Sequence, residues 1–142
     1  MPNIWIEYTA NLKAEARIPE LLNRLGQFLI AYGGGDVFPP GGTRLRGVEI
    51  TDYYMADGEE DYAYVHLEAR IGPGRPPEQM RRAFDEVFEI LKDHFKELYD
   101  RRLLALYMEV SESDAAWSWR HNNVHKHMQA KRAALAAERA EG

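Results

Sequence analysis

The chain has 142 residues, 23 acidic and 18 basic side chains, a formal net charge of −5 and no cysteine. The lack of cysteine excludes disulfide scaffolds, thiol nucleophiles and Cys-ligated metal sites. The acidic balance argues against a general nucleic-acid coat. With neither a signal peptide nor a run of about 18 apolar residues, the sequence predicts a cytoplasmic globular protein without a membrane segment.

The first half of the chain predicts a strand, a helix and a second extended segment. Residues 3–8 alternate their side chains as a half-buried strand does. A helix begins near Ile18, and its leucines recur at helical spacing until Gly33 ends it. Residues 43–55 form the second extended segment, and the turn at 56–58 ends it.

The second half repeats this order, with a strand over 61–71, the longest helix from Pro76-Pro77 and a last strand over 103–110. Each strand–helix–strand unit should be right-handed with parallel strands. Two units side by side give an α+β fold, a four-stranded sheet with both helices on one face. The other face is left uncovered, and oligomerisation would bury it. Residues 125–142 predict a marginal helix that docks on a partner subunit or frays.

Pro2 is the first candidate for chemistry. A Met-Pro start normally loses its methionine, because the second residue is small. Proline then becomes the terminal residue and carries a secondary amine. An α-amino group has a pKa near 8, and desolvation and nearby cations lower that pKa, so the amine can act as a base at neutral pH.

Three arginines are candidates for binding an anion. Arg44 and Arg46 lie two residues apart in an extended segment, so they point to one face of the sheet. Arg75 follows a Gly-Pro-Gly loop at the end of a strand, just ahead of a helix. Ligand sites collect at such strand ends in open α/β sheets, and helix N-termini and arginine forks both favour anions.

The histidines give only weak signals. His121, His125 and His127 lack the acidic partner of a zinc motif, so no metal site is predicted. His94 lies in a charged helix and is expected on its solvated face. His66 lies in the middle of a strand and is expected to be a buried histidine with a hydrogen-bond partner.

Taken together, several segments resemble the 5-carboxymethyl-2-hydroxymuconate isomerase family of the tautomerase superfamily. Single pieces are unspecific, but they fall in the family's order and at near-family spacing across roughly residues 1–126. The matching pieces are Met1-Pro2, Ile6-Glu7-Tyr8, Phe38-Pro39, Gly42-Thr43-Arg44-Leu45-Arg46, Met55-Ala56-Asp57-Gly58, Asp61-Tyr62-Ala63-Tyr64-Val65-His66, Ile71-Gly72-Pro73-Gly74-Arg75, Arg102-Leu103-Leu104-Ala105-Leu106 and Asn122-Asn123-Val124-His125.

The resemblance implies a homotrimer of chains built from two fused βαβ units. It also implies proton transfer on a 2-hydroxymuconate-type acid, in which Pro2 matches the family's proline, a general base and then acid. Arg44 and Arg75 match arginines that bind the substrate's carboxylates, with Arg46 as a further candidate. Phe38 would supply an apolar wall. No metal or organic cofactor is implied, because the conjugated acid is its own electron sink.

The resemblance also defines a domain, residues 1–126, with repeats over 1–58 and 59–126 and a helical extension over 127–142. That extension is longer than the family usually has, and Gly34-Gly35-Asp36 resembles an insertion. Pro73 replaces a residue that is usually small.

Two alternatives to the family's reaction stay open. One is a tautomerase that acts on another small enol carboxylate, such as a phenylpyruvate-like enol. The other is a non-catalytic trimeric binding module on the same scaffold. Retention of Pro2, Arg44 and Arg75 together favours an enzyme, because a scaffold alone has no physical need for all three.

Overall fold

The computed structural model describes all 142 residues, which form one four-stranded sheet and three α-helices. The strand order across the sheet is β2-β1-β3-β4. The elements are β1 (Asn3–Thr9), α1 (Ile18–Ala31), β2 (Arg44–Ile50), β3 (Ala63–Ile71), α2 (Pro77–Arg101), β4 (Leu104–Glu112) and α3 (Val124–Glu141).

The sheet has the topology expected of two fused βαβ units. β1 pairs in parallel with β2, β3 pairs in parallel with β4, and β1 and β3 join the units as antiparallel neighbours. The two strand–helix–strand predictions are confirmed. The second extended segment is shorter than expected, since β2 ends at Ile50 and residues 51–62 are irregular apart from the turn at 55–58.

Helices α1 and α2 cover one face of the sheet and close a single core of 22 buried hydrophobic residues. The strands supply alternate residues to this core, as a half-buried sheet requires. In β3, for example, Val65, Leu67 and Ala69 are fully buried, while the residues between them face the other way. None of the helices combines the length and apolar composition needed to cross a membrane.

The opposite face of the sheet carries aromatic and charged side chains instead of a purely apolar surface. The Arg46 guanidinium lies 5.0 Å from the centre of the Trp5 ring, and the His66 ring meets Tyr107 edge-on with centroids 5.0 Å apart. The Nε2 atom of His66 is buried without a hydrogen-bond partner, which differs from the satisfied histidine expected there. Tyr107 is 54% exposed.

Helix α3 is a continuous helix, so the expected boundary between residues 126 and 127 falls inside it. Its first turn packs against the Pro40–Gly42 turn, and Asn122, just before the helix, donates from Nδ2 to the Gly41 carbonyl at 3.0 Å. Further along α3, Arg132 lies 3.8 Å from Asp36. The helix has no buried residue and rests on the loop that follows α1.

His94 lies in the core and not on the solvated face expected from the sequence. It is 6% exposed, and its Nε2 atom lies 2.7 Å from the carbonyl oxygen of Ala16. The expectation was wrong because His94 shares the buried stripe of α2 with Leu91 and Leu98 at helical spacing. Burial lowers the pKa of His94, and the charge of Arg17 adds to that effect, while the hydrogen bond to Ala16 opposes it.

This buried histidine predicts that the protein loses stability in mild acid. The unfolded His94 has a pKa near 6.5 and the folded one a lower pKa, so the unfolded chain binds more protons as the pH falls below about 6.5. We expect the free energy of unfolding to drop more between pH 7 and pH 5 in wild type than in His94→Gln, whose amide can still donate to Ala16. Thermal unfolding at both pH values measures this, and equal drops would contradict it.

Candidate active site

The amino terminus lies at one end of the sheet, between the start of β2 and the end of β3. This follows from topology, because β1 runs parallel to β2 and antiparallel to β3. Pro2 is buried there, and its carbonyl oxygen accepts a hydrogen bond from the backbone nitrogen of Arg44 at 3.1 Å. The terminal amine of Met1 therefore lies where the loop that leads into β2 meets the loop that follows β3.

Gly72, directly after β3, lies next to that amine. A Cβ atom at Gly72 would lie 3.0 Å from the Met1 nitrogen, 3.5 Å from Arg75 Nη1 and 3.9 Å from Arg120 Nη2. The amine and the two guanidinium groups therefore lie within 4 Å of one point. A larger residue at Gly72 would intrude among the three groups.

These surroundings lower the pKa of the Met1 amine to about 6. Burial is the largest cause, followed by the charges of Arg75, Arg120 and Arg44. Each cause disfavours the charged form of the amine. A terminal amine at this position is thus largely neutral at pH 7, the form that accepts a proton.

Two cavities flank Met1, and we name them the strand-end cavity and the loop cavity. They have volumes of about 480 Å³ and 790 Å³ and share Met1, Ser118 and Arg120. The strand-end cavity has no acidic residue in its lining, and the loop cavity has Asp36 alone. The charged and titratable side chains that line them are Arg44, Arg70, Arg120 and His121 in the first and Asp36, Arg75, Arg120 and His125 in the second.

Arg75 is fixed in the wall of the loop cavity. Its Nε atom donates to the carbonyl of Val37 at 3.0 Å, and its Nη1 atom donates to the carbonyl of Gly72 at 3.2 Å. Phe38 lies 5.5 Å beneath its guanidinium carbon, measured to the ring centroid. Phe38 is 0% exposed and supports Arg75 from the core, so the apolar surface expected of it lies behind this guanidinium.

Arg44 and Arg46 point to the same face, as their spacing indicates. Both donate to Asn3 Oδ1, from Arg44 Nε at 3.3 Å and from Arg46 Nη1 at 2.9 Å. Only Arg44 also lines the strand-end cavity. The structure places Arg46 over Trp5, on the uncovered face of the sheet and outside both cavities.

The side chain of Met1 fills a slot between the Pro40–Gly42 turn and α3. A Cβ atom at Gly42 would collide with Met1. On the other side, His125 Nε2 lies 2.9 Å from Met1 Sδ. Removal of Met1 would open this slot toward both cavities and would leave the nitrogen of Pro2 as the terminal amine.

Sequence reasoning missed Arg120, Arg70 and His125 as neighbours of the amino terminus. They are more than 60 residues away from it along the chain, and no local pattern marks them. The one available signal is the Asn122–His125 piece of the resemblance. Asn122 holds this segment against Gly41 and so brings Arg120 and His125 to the site.

Comparisons with known proteins point to one family. The sequence model of the family described as 5-carboxymethyl-2-hydroxymuconate isomerase matches residues 2–128. A 5-carboxymethyl-2-hydroxymuconate Delta-isomerase from Escherichia coli is 38% identical over 125 residues, which cover 88% of this chain and 97% of the relative.

Solved structures agree with the sequence comparison. A 5-carboxymethyl-2-hydroxymuconate isomerase from Deinococcus radiodurans R1 is 41% identical, with a TM-score of 0.84 over 89% of this chain and 93% of that one. A macrophage migration inhibitory factor-like protein from Entamoeba histolytica shares 10% identity and has a TM-score of 0.50 over 84% and 96% of the two chains. The latter likeness concerns the fold alone, which is tautomerase-like.

Proposed function

Because the chain belongs to the 5-carboxymethyl-2-hydroxymuconate isomerase family, we propose that it is the isomerase of a 2-hydroxymuconate-type polycarboxylate, with Pro2 as its general base and acid. The observation that carries this proposal is that the Met1 amine, one residue before Pro2, has a lowered pKa and shares one 4 Å neighbourhood with the guanidinium groups of Arg75 and Arg120. The catalytic domain covers residues 1–126, and the rest of α3 forms an extension.

The proposed base is the secondary amine of Pro2 after Met1 has been removed. In the chain that carries Met1, the Pro2 nitrogen is an amide and has no basicity. After removal, the amine lies one residue further along the same strand end, close to the same arginines. Burial and these charges keep the pKa of a terminal amine low, so the neutral form is available near pH 7.

The reaction needs only the movement of one proton. Pro2 takes the proton from the 2-hydroxyl group, so that an N–H bond forms and the O–H bond breaks. The electron pair left on oxygen spreads through the conjugated chain as a dienolate. Pro2 then returns the proton to a carbon of that chain, and the keto isomer forms with no gain or loss of electrons.

The guanidinium groups supply the electrostatics of this step. Arg75 in the loop cavity and Arg44 in the strand-end cavity lie on the two sides of the amino terminus. A long polycarboxylate placed across Pro2 would meet a cation on each side. Cations fixed before the reaction stabilise the developing negative charge of the dienolate without reorganisation. The same cations explain how a chain of charge −5 attracts an anionic substrate.

We also propose that the protein is a homotrimer. The uncovered sheet face supports this, since it presents aromatic side chains to solvent: Tyr107 is 54% exposed and Trp5 is half-buried. A neighbouring subunit packed on this face would bury these aromatic side chains. Light scattering should give about 49 kDa, three times the 16.4 kDa chain mass, and the mass of a single chain would contradict the proposal.

Activity toward another enol carboxylate is the second candidate function. The loop cavity favours it to a degree, because Val37, Pro39 and Ala115 give that cavity apolar surface beside its charges. An absorbance assay of ketonisation decides between the two, with 5-carboxymethyl-2-hydroxymuconate and a phenylpyruvate enol as substrates. Faster turnover of the polycarboxylate supports the main proposal, and faster turnover of the aromatic enol supports the second. If neither substrate is turned over, the remaining alternative is a non-catalytic binding module.

A further inference from the structure

We propose that Arg120 is a specificity-determining residue, which binds an additional carboxylate of the substrate at the junction of the two cavities. This inference rests on the proposed function and gives a substrate contact to Arg120, whose role so far is to lower the pKa of the terminal amine. Arg120 is the only arginine that lines both cavities. Its Nη2 atom lies within 4 Å of the point next to Gly72 that the terminal amine and Arg75 share.

Arg120 also has no partner of its own within the chain. Arg75 donates to two carbonyl groups, and Arg44 donates to Asn3. Arg120 forms neither an ion pair nor a side-chain hydrogen bond, although a guanidinium carries five N–H donors. A cation held beside other cations and without an anion is an arrangement that a bound anion stabilises.

The segment that carries Arg120 is fastened at both ends. At one end, Ser113 donates from its backbone nitrogen to the carbonyl of Ile71 at 2.8 Å. At the other end, Asn122 binds the carbonyl of Gly41 at 3.0 Å and accepts a hydrogen bond from the nitrogen of Val124 at 2.7 Å. The segment therefore crosses the end of the sheet, and Arg120 is held above the amino terminus.

Acidic side chains are nearly absent from the lining of the junction. Asp36 is the one acidic side chain that lines either cavity, and it pairs with Arg132 of α3 at 3.8 Å. Arg132 itself lies outside both cavities. Asp36 forms no ion pair with Arg120, which is available for a carboxylate of the substrate.

The chemistry that fits this junction is a substrate with three carboxylates. Arg44 and Arg75 bind groups on the two sides of Pro2, and a branch near the reacting centre would reach Arg120. A substrate with two carboxylates would use Arg44 and Arg75 alone. We therefore expect the loss of Arg120 to penalise the tricarboxylate selectively.

The test compares Arg120→Ala and Arg120→Lys with wild type, and uses Arg81→Ala as the control. Arg81 is an exposed arginine of α2 that pairs with Asp85 and lines neither of the two cavities. The kcat/KM value of Arg120→Ala should fall about 10- to 100-fold for 5-carboxymethyl-2-hydroxymuconate, the usual effect of losing a hydrogen bond to a charged group. The fall in kcat/KM of Arg120→Ala should be several-fold smaller for 2-hydroxymuconate. Arg120→Lys should have kcat/KM values between those of wild type and Arg120→Ala, and Arg81→Ala should have those of wild type. Equal losses on both substrates in Arg120→Ala would overturn the inference.

A binding measurement separates this inference from the proposed function. Calorimetry of the processed protein with tricarballylate, an inert tricarboxylate, and with glutarate, a dicarboxylate, needs no turnover. Weaker binding of tricarballylate alone in Arg120→Ala supports the inference even if no isomerase activity is found. Unchanged binding of tricarballylate overturns it even if the isomerase activity is confirmed.

Discussion

Replacing Pro2 with alanine is expected to lower kcat by about 10²–10⁴-fold, the usual effect of removing a general acid–base group. Alanine leaves a primary amine at the terminus, without the ring that fixes the direction of the nitrogen. Binding of the substrate depends on the arginines and should change little. The absorbance of the ketone product over time measures kcat and KM separately.

Pro19→Ala is the matched control for this substitution. Pro19 is an exposed proline in the first turn of α1 and lies outside both cavities. We expect this variant to keep full activity, and intact mass must show that Met1 has been removed from every protein compared. An unchanged kcat in processed Pro2→Ala would remove Pro2 from the mechanism.

The pH dependence of the wild type gives the same mechanism a second readout. Only the neutral amine accepts a proton, so kcat/KM should rise with pH through the pKa of the free Pro2 amine. Burial and the neighbouring arginines should place this rise below the ordinary pKa of a terminal amine, near 8. In Pro2→Ala this dependence should be weakened along with the rate.

Replacing Arg75 with alanine is expected to reduce kcat/KM for carboxylate substrates by about 10- to 100-fold, because a charge-assisted hydrogen bond is lost. A methyl ester of the same substrate carries no charge at that end and should lose far less. The kinetics of the acid and the ester, measured in wild type and variant, give the two losses.

Two further variants make the Arg75 result specific. Arg75→Lys keeps the positive charge but lacks the planar guanidinium, whose separate Nε and Nη1 atoms bind Val37 and Gly72, so it should restore only part of the activity. Arg81→Ala removes an arginine of α2 outside the site and should behave as wild type. Equal losses on the acid and the ester would exclude the carboxylate contact.

Local patterns in the sequence predict most of this fold, because each pattern acts over a few residues. The alternation in β1 and the leucine spacing of α1 are of this kind. Patterns of this kind do not show where a strand loses its neighbour. They therefore do not predict that the second extended segment leaves the sheet after Ile50. They also do not show which stripe of a charged helix is buried, which is why His94 was misplaced.

The residues of the candidate site can be predicted from the sequence only where one residue type stands in a recognisable place. Pro2 follows the first methionine, and Arg75 follows a glycine loop at the end of a strand. Arg120 reaches the same point only because Asn122 and Ser113 fasten a distant segment across the sheet end. Phe38 was recognised as part of the site, yet only the packing shows that it lies beneath Arg75.

The comparison of two forms of the same chain tests the central claim most directly. One form begins at a free Pro2, as verified by intact mass, and the other keeps Met1 or carries extra residues before Pro2. The processed form should convert 5-carboxymethyl-2-hydroxymuconate to its keto isomer, while the extended form should be inactive because its Pro2 nitrogen is an amide. Equal rates of ketonisation in the two forms would contradict the role of Pro2 as the base.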